Sequence, residues 1–295
     1  MNDDGSEPTI AVLGSINMDL VTTTARRPEP GETVLGSGFT MMPGGKGANQ
    51  AIAASRAGGR VQFLGAVGDD VFADTLRDVL TGSDVGVSRL RTVAGPSGVA
   101  TIVVDESGEN SIIVVGGANG EMTGLTDADL AVIADADVLL CQLEIPVPTV
   151  AAAAAHARAH ATTVVLNPSP AQRLPASMWS DVDVAVVNTG EARALGAALD
   201  SVPHVVITRG ATGATYRGPD GELSVPGLAI EVVDTTGAGD AFTGALAVAW
   251  LRGPATALRW ACAAGALAAT ALGASASIPD RSAIDNAVRT FAEQH

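Results

Sequence analysis

Lys46 is the only lysine in the chain. It stands in Pro43-Gly44-Gly45-Lys46-Gly47-Ala48-Asn49-Gln50, where the glycines let backbone approach a ligand and Lys46 and Asn49 supply donors. This segment leads into the Ala-rich helical stretch Ala51 to Ala57. In a composition that otherwise uses arginine, a single lysine points to a need for a compact ammonium; the plain alternative is a side chain on a solvated loop. No Ser or Thr follows the Gly-Lys pair, so this is not a Walker loop.

A second constellation runs from Asp234 through Thr236, Gly237, Ala238, Gly239 and Asp240 into an apolar helix expected over Ala241 to Leu251. The N–H groups of Gly237 to Gly239 and the positive end of the helix dipole would converge on one point suited to an anion. An acid beside such a point weakens anion binding unless it has a task. Asp240 could accept the proton of an attacking hydroxyl while the amides hold a phosphoryl group, or it could simply cap the helix. Asn188-Thr189-Gly190-Glu191 could position a magnesium-bound phosphate through water, and helix capping explains it nearly as well. Thr208-Arg209-Gly210-Ala211-Thr212-Gly213 is a strand-to-glycine loop that suits either a nucleotide or a hairpin turn.

Short apolar runs at Thr9 to Gly14, Val61 to Gly65, Val138 to Cys141, Thr163 to Leu166, Val184 to Val187 and His204 to Ile207 read as buried strands. Helical segments separate several of them, which argues a doubly wound, mostly parallel α/β sheet with helices on both faces. Ligands bind such sheets beyond the carboxyl ends of the strands. Those ends are polar here: Asn17 and Asp19 on the loop Ser15 to Asp19, Gln142 and Glu144, Asn167, Asn188 and Thr208. Thr33 to Thr40, Val99 to Val104 and Ser111 to Val115 lack helices of their own and read as a small antiparallel sheet covering the cleft or pairing with another subunit. Residues 9–295 are expected to form one domain, with the sheet drawn from about 17–43 and 92–116, behind a disordered tail over 1–8.

The 295 residues suffice to bury roughly 70–75% of the extended surface, which excludes a small stapled scaffold. With 47% hydrophobic but only 3% aromatic residues, the core must be built from Ala, Val, Leu and Ile. A net charge of −15 repels phosphate backbones and anionic membranes, so neither nucleic acid nor a membrane is an expected partner. Trp260 to Pro279 is uncharged but weakly apolar and reads as a packed interior helix. Cys141 and Cys262 have no zinc-ligand spacing and fit a reducing cytoplasm, and the N-terminus lacks the pattern of a signal peptide. His156 and His160 have i, i+4 spacing without a His-Glu-x-x-His motif and read as a solvated face. The absence of a Gly-x-Ser-x-Gly elbow and of a Gly-x-Gly-x-x-Gly turn after the first strand counts against a hydrolase and an NAD dehydrogenase.

Taken in order, Gly14 to Asp19, Pro30-Gly31-Glu32-Thr33-Val34, Gly44 to Asn49, Gln142-Leu143-Glu144, Asn167-Pro168-Ser169-Pro170-Ala171 and Asp234 to Asp240 resemble the motifs of the ribokinase-like (PfkB) sugar kinases over nearly the whole chain. The resemblance implies an ATP-dependent kinase acting on the primary hydroxyl of a pentose, D-ribose first. A sister kinase for deoxyribose, a nucleoside or a ketose, and a non-catalytic sugar sensor, remain as alternatives. It further implies that Asn17, Asp19, Gly45, Lys46, Gly47, Ala48, Asn49 and Glu144 hold the sugar, with Asp240 as base. Gly237, Ala238 and Gly239 would form the anion hole, and Asn188, Thr208 to Gly213 and the Cys262 position would hold ATP. Asp234, Thr236, Ala268, Ala271, Gly273 and Ser277 would hold K+, Glu191 would steer Mg2+ through water, and two lids would clasp into a homodimer. Cys262 stands where relatives place His or Asn, and the stretch from Glu191 to Thr208 is short, as though a helix were missing.

Overall fold

The computed structural model describes residues 7–294. In chain order it places β1 (Thr9–Leu13), β2 (Asn17–Thr24), β3 (Gly36–Gly44), α1 (Lys46–Arg56), β4 (Arg60–Val67), α2 (Ala73–Thr81) and β5 (Gly86–Thr92). These are followed by β6 (Gly98–Val104), β7 (Asn110–Val115), α3 (Asp127–Ala134), β8 (Val138–Cys141), α4 (Val147–Ala159) and β9 (Thr163–Leu166). Next come α5 (Ala176–Trp179), β10 (Val184–Asn188), α6 (Thr189–Leu195), β11 (His204–Thr208), β12 (Ala214–Gly218) and β13 (Gly221–Val225). Helices α7 (Ala238–Ala249), α8 (Pro254–Ala268) and α9 (Arg281–Gln294) complete the chain.

Nine strands form the main sheet in the order β13-β12-β11-β10-β9-β8-β1-β4-β5. All neighbours from β11 to β5 are parallel, and the β12–β13 hairpin adds two antiparallel strands at one edge. The period-two alternation sends Ile10 and Val12 of β1 into one core and Ala11 and Leu13 into the other, so both faces are covered. The first core contains residues of α1, α7 and α8; the second contains residues of α3 and α4. Alanine dominates where α1 meets α7, and a Cβ added at Gly244 would stand 2.5 Å from the Ala53 Cβ and 2.7 Å from the Gln50 carbonyl oxygen.

The smaller sheet has the order β3-β2-β6-β7. It is mixed where an antiparallel sheet was expected, because β2 and β6 pair in parallel. Its strands also begin elsewhere. Asn17 to Asp19, expected as a loop, open β2, and the strand expected over Thr33 to Thr40 is shifted to Gly36–Gly44. Arg26 pairs with Glu32, whose carboxylate also accepts from the Glu29 N–H, so the segment before β3 is spent on a turn.

Two further expectations are corrected. Pro8, placed in a disordered tail, is buried and its carbonyl accepts from the Arg60 N–H at 2.8 Å; residues 1–6 of that tail lie outside the described residues. The helix expected over Trp260 to Pro279 stops at Ala268, because the Ala269 carbonyl is drawn to the N–H groups of Val233 and Asp234. The stretch before β11 is filled by α6 and a 3-10 turn over Gly196–Ser201. Among the described residues no helix is long and apolar enough to cross a membrane.

Candidate active site

Two glycine-rich helix starts face one cleft, and their free donors differ. Helix α1 begins at Lys46, earlier than expected, and its first N–H groups are spent inside the protein. Lys46 N–H donates to Glu144 Oε2 at 3.0 Å, Gly47 N–H to Ser15 Oγ at 3.3 Å and Ala48 N–H to the Ser15 carbonyl at 2.9 Å. Gly47 and Ala48 were expected to contact sugar; both are buried with their donors committed, so they build the loop and do not touch a ligand through those groups. Gly45, at φ +92°, is required because a Cβ there would stand 2.9 Å from the Asn17 nitrogen.

Helix α7 begins at Ala238, so Gly239 and Asp240 belong to its first turn. No side chain caps this end, and Gly237 takes the left-handed conformation at φ 76°. The Ala238 N–H is turned back to the Thr235 carbonyl at 3.2 Å, which removes it from the expected anion hole. A Cβ on Gly239 would meet nothing within 4 Å, so its backbone borders open space. An uncapped helix start of this length presents orphan N–H groups and a positive dipole end to whatever enters.

Both starts line a cavity of about 220 Å³, with Lys46 from α1, Gly237 at the cap of α7, Gly239, Asp240 and Thr243 from α7, Asn188 and Thr208 from the strand ends, and Glu191 from α6. Asn167, one of the polar strand ends expected at the site, also lines it, together with Ser169, Thr235, Val186 and Val187. A larger open groove, about 440 Å³ beside Trp179 and Leu195, contains none of the candidate residues.

Asp240 is buried, with Oδ1 accepting from Gln50 Nε2 at 2.9 Å and Oδ2 from Asn49 Nδ2 at 3.3 Å. Asn49, expected on the sugar, thus reaches the acid as well, and its Oδ1 is buried without a partner. The Lys46 ammonium is held above its ordinary range by Asp240 first, against the opposing effect of burial, with further help from Glu144 and Glu191. Burial, reinforced by Glu144 and then Asp240, pushes the Asp19 carboxyl up to about 7. Asp19 has room only because Gly44, diagonally opposite it on β3, carries no side chain: a Cβ there would lie 2.2 Å from Asp19 Oδ2. Asn17 is buried, and its Oδ1 accepts from Asn119 Nδ2 at 2.7 Å. Nothing in the sequence singled out Asn119, which reaches across from a distant loop.

Asn188 and Thr208 are cross-strand neighbours on β10 and β11. Asn188 and Glu191 form a reciprocal capping box at 2.8 Å each way, so the capping reading of this motif holds in the structure; Glu191 nevertheless also lines the cavity. Beyond Thr208, Arg209 to Thr212 form an exposed turn and Gly213 closes it at φ +93°. Cys262 is buried behind this turn, where the Ala214 N–H reaches its sulfur and burial pushes the thiol up to about 12. Cys141 is fully buried in β8.

The loop before α7 is tied to the loop after α8. Asp234 accepts from Thr236 N–H at 2.9 Å, from its hydroxyl at 2.7 Å and from Gly273 N–H at 2.9 Å. Burial raises this carboxyl and those donors outweigh it, holding it below the usual carboxylate range. Ser277 Oγ donates to the Ala274 carbonyl, and Ala274 packs so closely on Gly237 that an added Cβ would lie 2.8 Å from its Cα. Ala268 and Ala271 flank the Ala269 carbonyl that anchors this loop. The donors gathered here are hard oxygens, which suit an alkali or alkaline-earth cation more than a soft metal. Among the described residues no group of three His, Cys, Asp or Glu side chains could hold a metal.

Residues 7–281 match the model of the pfkB family of carbohydrate kinases. The chain is 39% identical over 287 residues to a ribokinase of Bacillus subtilis, covering 94% of this chain and 98% of the relative. It also superposes on the crystal structure of ribokinase from Thermotoga maritima with a TM-score of 0.87 at 31% identity, covering 96% of this chain and 99% of that one. Superposition on Arabidopsis thaliana ribokinase complexed with ribose and ATP gives a TM-score of 0.89 at 29% identity, covering 96% and 99%. With its parallel sheet, its separate small sheet and its uncapped glycine helix start beside a buried acid, the chain belongs to the pfkB family of carbohydrate kinases.

Proposed function

We propose that this protein transfers the γ-phosphoryl group of ATP to the primary hydroxyl of a pentose, D-ribose being the acceptor it fits best. The observation that carries the reading is the placement of Asp240 at the open start of α7, in one cavity with Lys46. Asn17, Asp19, Gly45, Lys46, Asn49 and Glu144 orient a small polyhydroxylated acceptor: their groups are polar and charged, with no apolar slot for a base among them. Asp240 takes the hydroxyl proton as the oxygen attacks phosphorus in line. The N–H groups of Gly237 and Gly239, the α7 dipole and the Lys46 ammonium stabilise the charge developing on the phosphoryl oxygens. Asn188, Thr208 to Gly213 and the Cys262 wall form the nucleotide side.

Glu191 keeps one carboxylate oxygen beyond its capping bond, which suits Mg2+ held largely through water and phosphate. That ion would supply neutralisation of the phosphate charge. Asp234 and Thr236, with the carbonyls of Ala268, Ala271 and Gly273 and the Ser277 hydroxyl, suit K+, which would stiffen the turn that bears Gly237. The free thiols Cys141 and Cys262 agree with a reducing cytoplasm. Sugar and nucleotide are the small-molecule partners, and a second copy of the chain meets the small sheet.

A coupled ADP-release assay across a sugar panel tests the reading. Turnover with D-ribose should exceed that with 2-deoxyribose, nucleosides and ketoses by at least about 10²-fold in kcat/KM, since polar groups built for a hydroxyl are left unpaired without it. It should also rise when K+ replaces tetramethylammonium at fixed Mg2+. ADP release independent of sugar, or preference for a nucleoside, would overturn the ribose assignment; equal rates in the two salts would remove K+ from the account.

A further inference from the structure

Gln50 stands one helical turn after Lys46 on α1 and is fully buried. Its amide has every group engaged. Nε2 donates to Asp240 Oδ1 at 2.9 Å and to Asn167 Oδ1 at 3.0 Å, and Oε1 accepts from Gln142 Nε2 at 2.6 Å. Asn167 is fixed in turn, its Nδ2 donating to the Val186 carbonyl of β10 at 2.8 Å. Gln142 is fully buried at the end of β8, where a Cβ on Gly14 would fall 2.0 Å from its Oε1. An amide with both hydrogens and its oxygen taken in a dry interior has one orientation, because any flip would strand donors against donors. The network therefore ties the Asp240 carboxylate to β8, β9 and β10 of the main sheet, independently of α7.

The two oxygens of Asp240 are unequally held. Oδ1 has the 2.9 Å bond from Gln50, whereas Oδ2 has only the 3.3 Å contact from Asn49. We infer that Gln50 is a positioning residue: it locks the rotation of the Asp240 carboxylate by gripping Oδ1 and so leaves Oδ2 to receive the hydroxyl proton. This rests on Asp240 acting as the base. In the step, the acceptor O–H bond breaks with its proton passing to Oδ2, the oxygen forms a bond to the γ-phosphorus, and the bond to the ADP oxygen breaks with its electron pair. Free rotation of the carboxylate would spread the basic lone pair over unproductive directions, a loss that falls on kcat and not on binding.

Gln50→Met keeps the side-chain volume and removes the donor. It should lower kcat by about 10–100-fold while the Kd for ADP and the KM for sugar stay within about twofold. The acid limb of the kcat–pH profile should move to higher pH, because the ionised base has lost a donor. That limb is read at saturating sugar, where Asp19 is covered, and the other charged groups facing the site, Lys46, Glu144 and Glu191, are unaltered. Gln142→Met removes the group that orients Gln50 without touching Asp240, and should shift the same limb in the same direction with a smaller loss of about 3–10-fold. Wild-type kcat with an unmoved limb in Gln50→Met, or a loss of ADP affinity as large as the loss of kcat, overturns the inference. If Gln50→Met does not fold, Gln142→Met decides alone, and an unchanged kcat and limb there overturn it. Asp240→Asn run alongside separates the two levels: an inactive Asp240→Asn with a normal Gln50→Met defeats only the positioning role, whereas an active Asp240→Asn defeats the base itself.

Discussion

Asp19 carries a charge conflict that a sugar would relieve. With Glu144 and Asp240 nearby and little water, its carboxyl sits at about 7 in the free protein against an ordinary value of 3.8. Between those two values the folded chain holds a proton that the unfolded chain has lost. The stability this group contributes is therefore complete below about pH 4 and is lost as pH rises through about 7. Asp19→Asn should raise Tm at pH 8 and leave it little changed at pH 4, while weakening sugar binding at both. In the parent protein the sugar KM should fall from pH 6 to pH 8 as Asp19 ionises and becomes a stronger acceptor for hydroxyls. A flat KM over that range, or no gain in Tm for the variant at pH 8, would show that Asp19 is not the group in conflict.

At the scale of elements, the site depends on how closely α1 and α7 approach, since Lys46, Asn49 and Gln50 ride on one and Asp240 on the other. Gly244 sets that distance. Gly244→Ala puts a methyl group against Ala53 and the α1 backbone, and should cost about 1–3 kcal/mol by denaturant midpoint together with a loss of kcat. An unchanged midpoint and kcat would mean that the helices can part without consequence. Six strands of the main sheet were legible because each is a short apolar run, whereas the more polar edge strands β5, β12 and β13 were not; Asp240 was legible because an acid in a glycine-rich helix start is chemically conspicuous. The small sheet was less so. A half-exposed strand such as β2 mixes Asn17, Asp19 and three threonines with apolar residues, and only its tertiary partners define it. Asn119 stayed hidden for a similar reason, as a distant residue brought in by topology. Gln50 carried a usable signal, its i, i+4 spacing from Lys46 on one helix face.

For the molecule as a whole, the small sheet is the unfinished surface. Ile113 is 68% exposed, Phe39 62% and Val115 55% on this sheet. Strand β7 is exposed along its whole length. Apolar exposure of this kind suits a second copy of the chain, two such sheets pairing isologously. The protein should sediment as a dimer at micromolar concentration, and Ile113→Asp should shift it to monomer and raise the sugar KM. A monomeric parent protein at that concentration would remove the clasp.

Every scale converges on one acid at the mouth of α7. Turnover of Asp240→Asn, measured beside its nucleotide and sugar affinities, tests that convergence most directly. The account predicts a kcat lowered by about 10²–10⁴-fold with folding and both affinities retained. Turnover within a few-fold of the parent protein would contradict it.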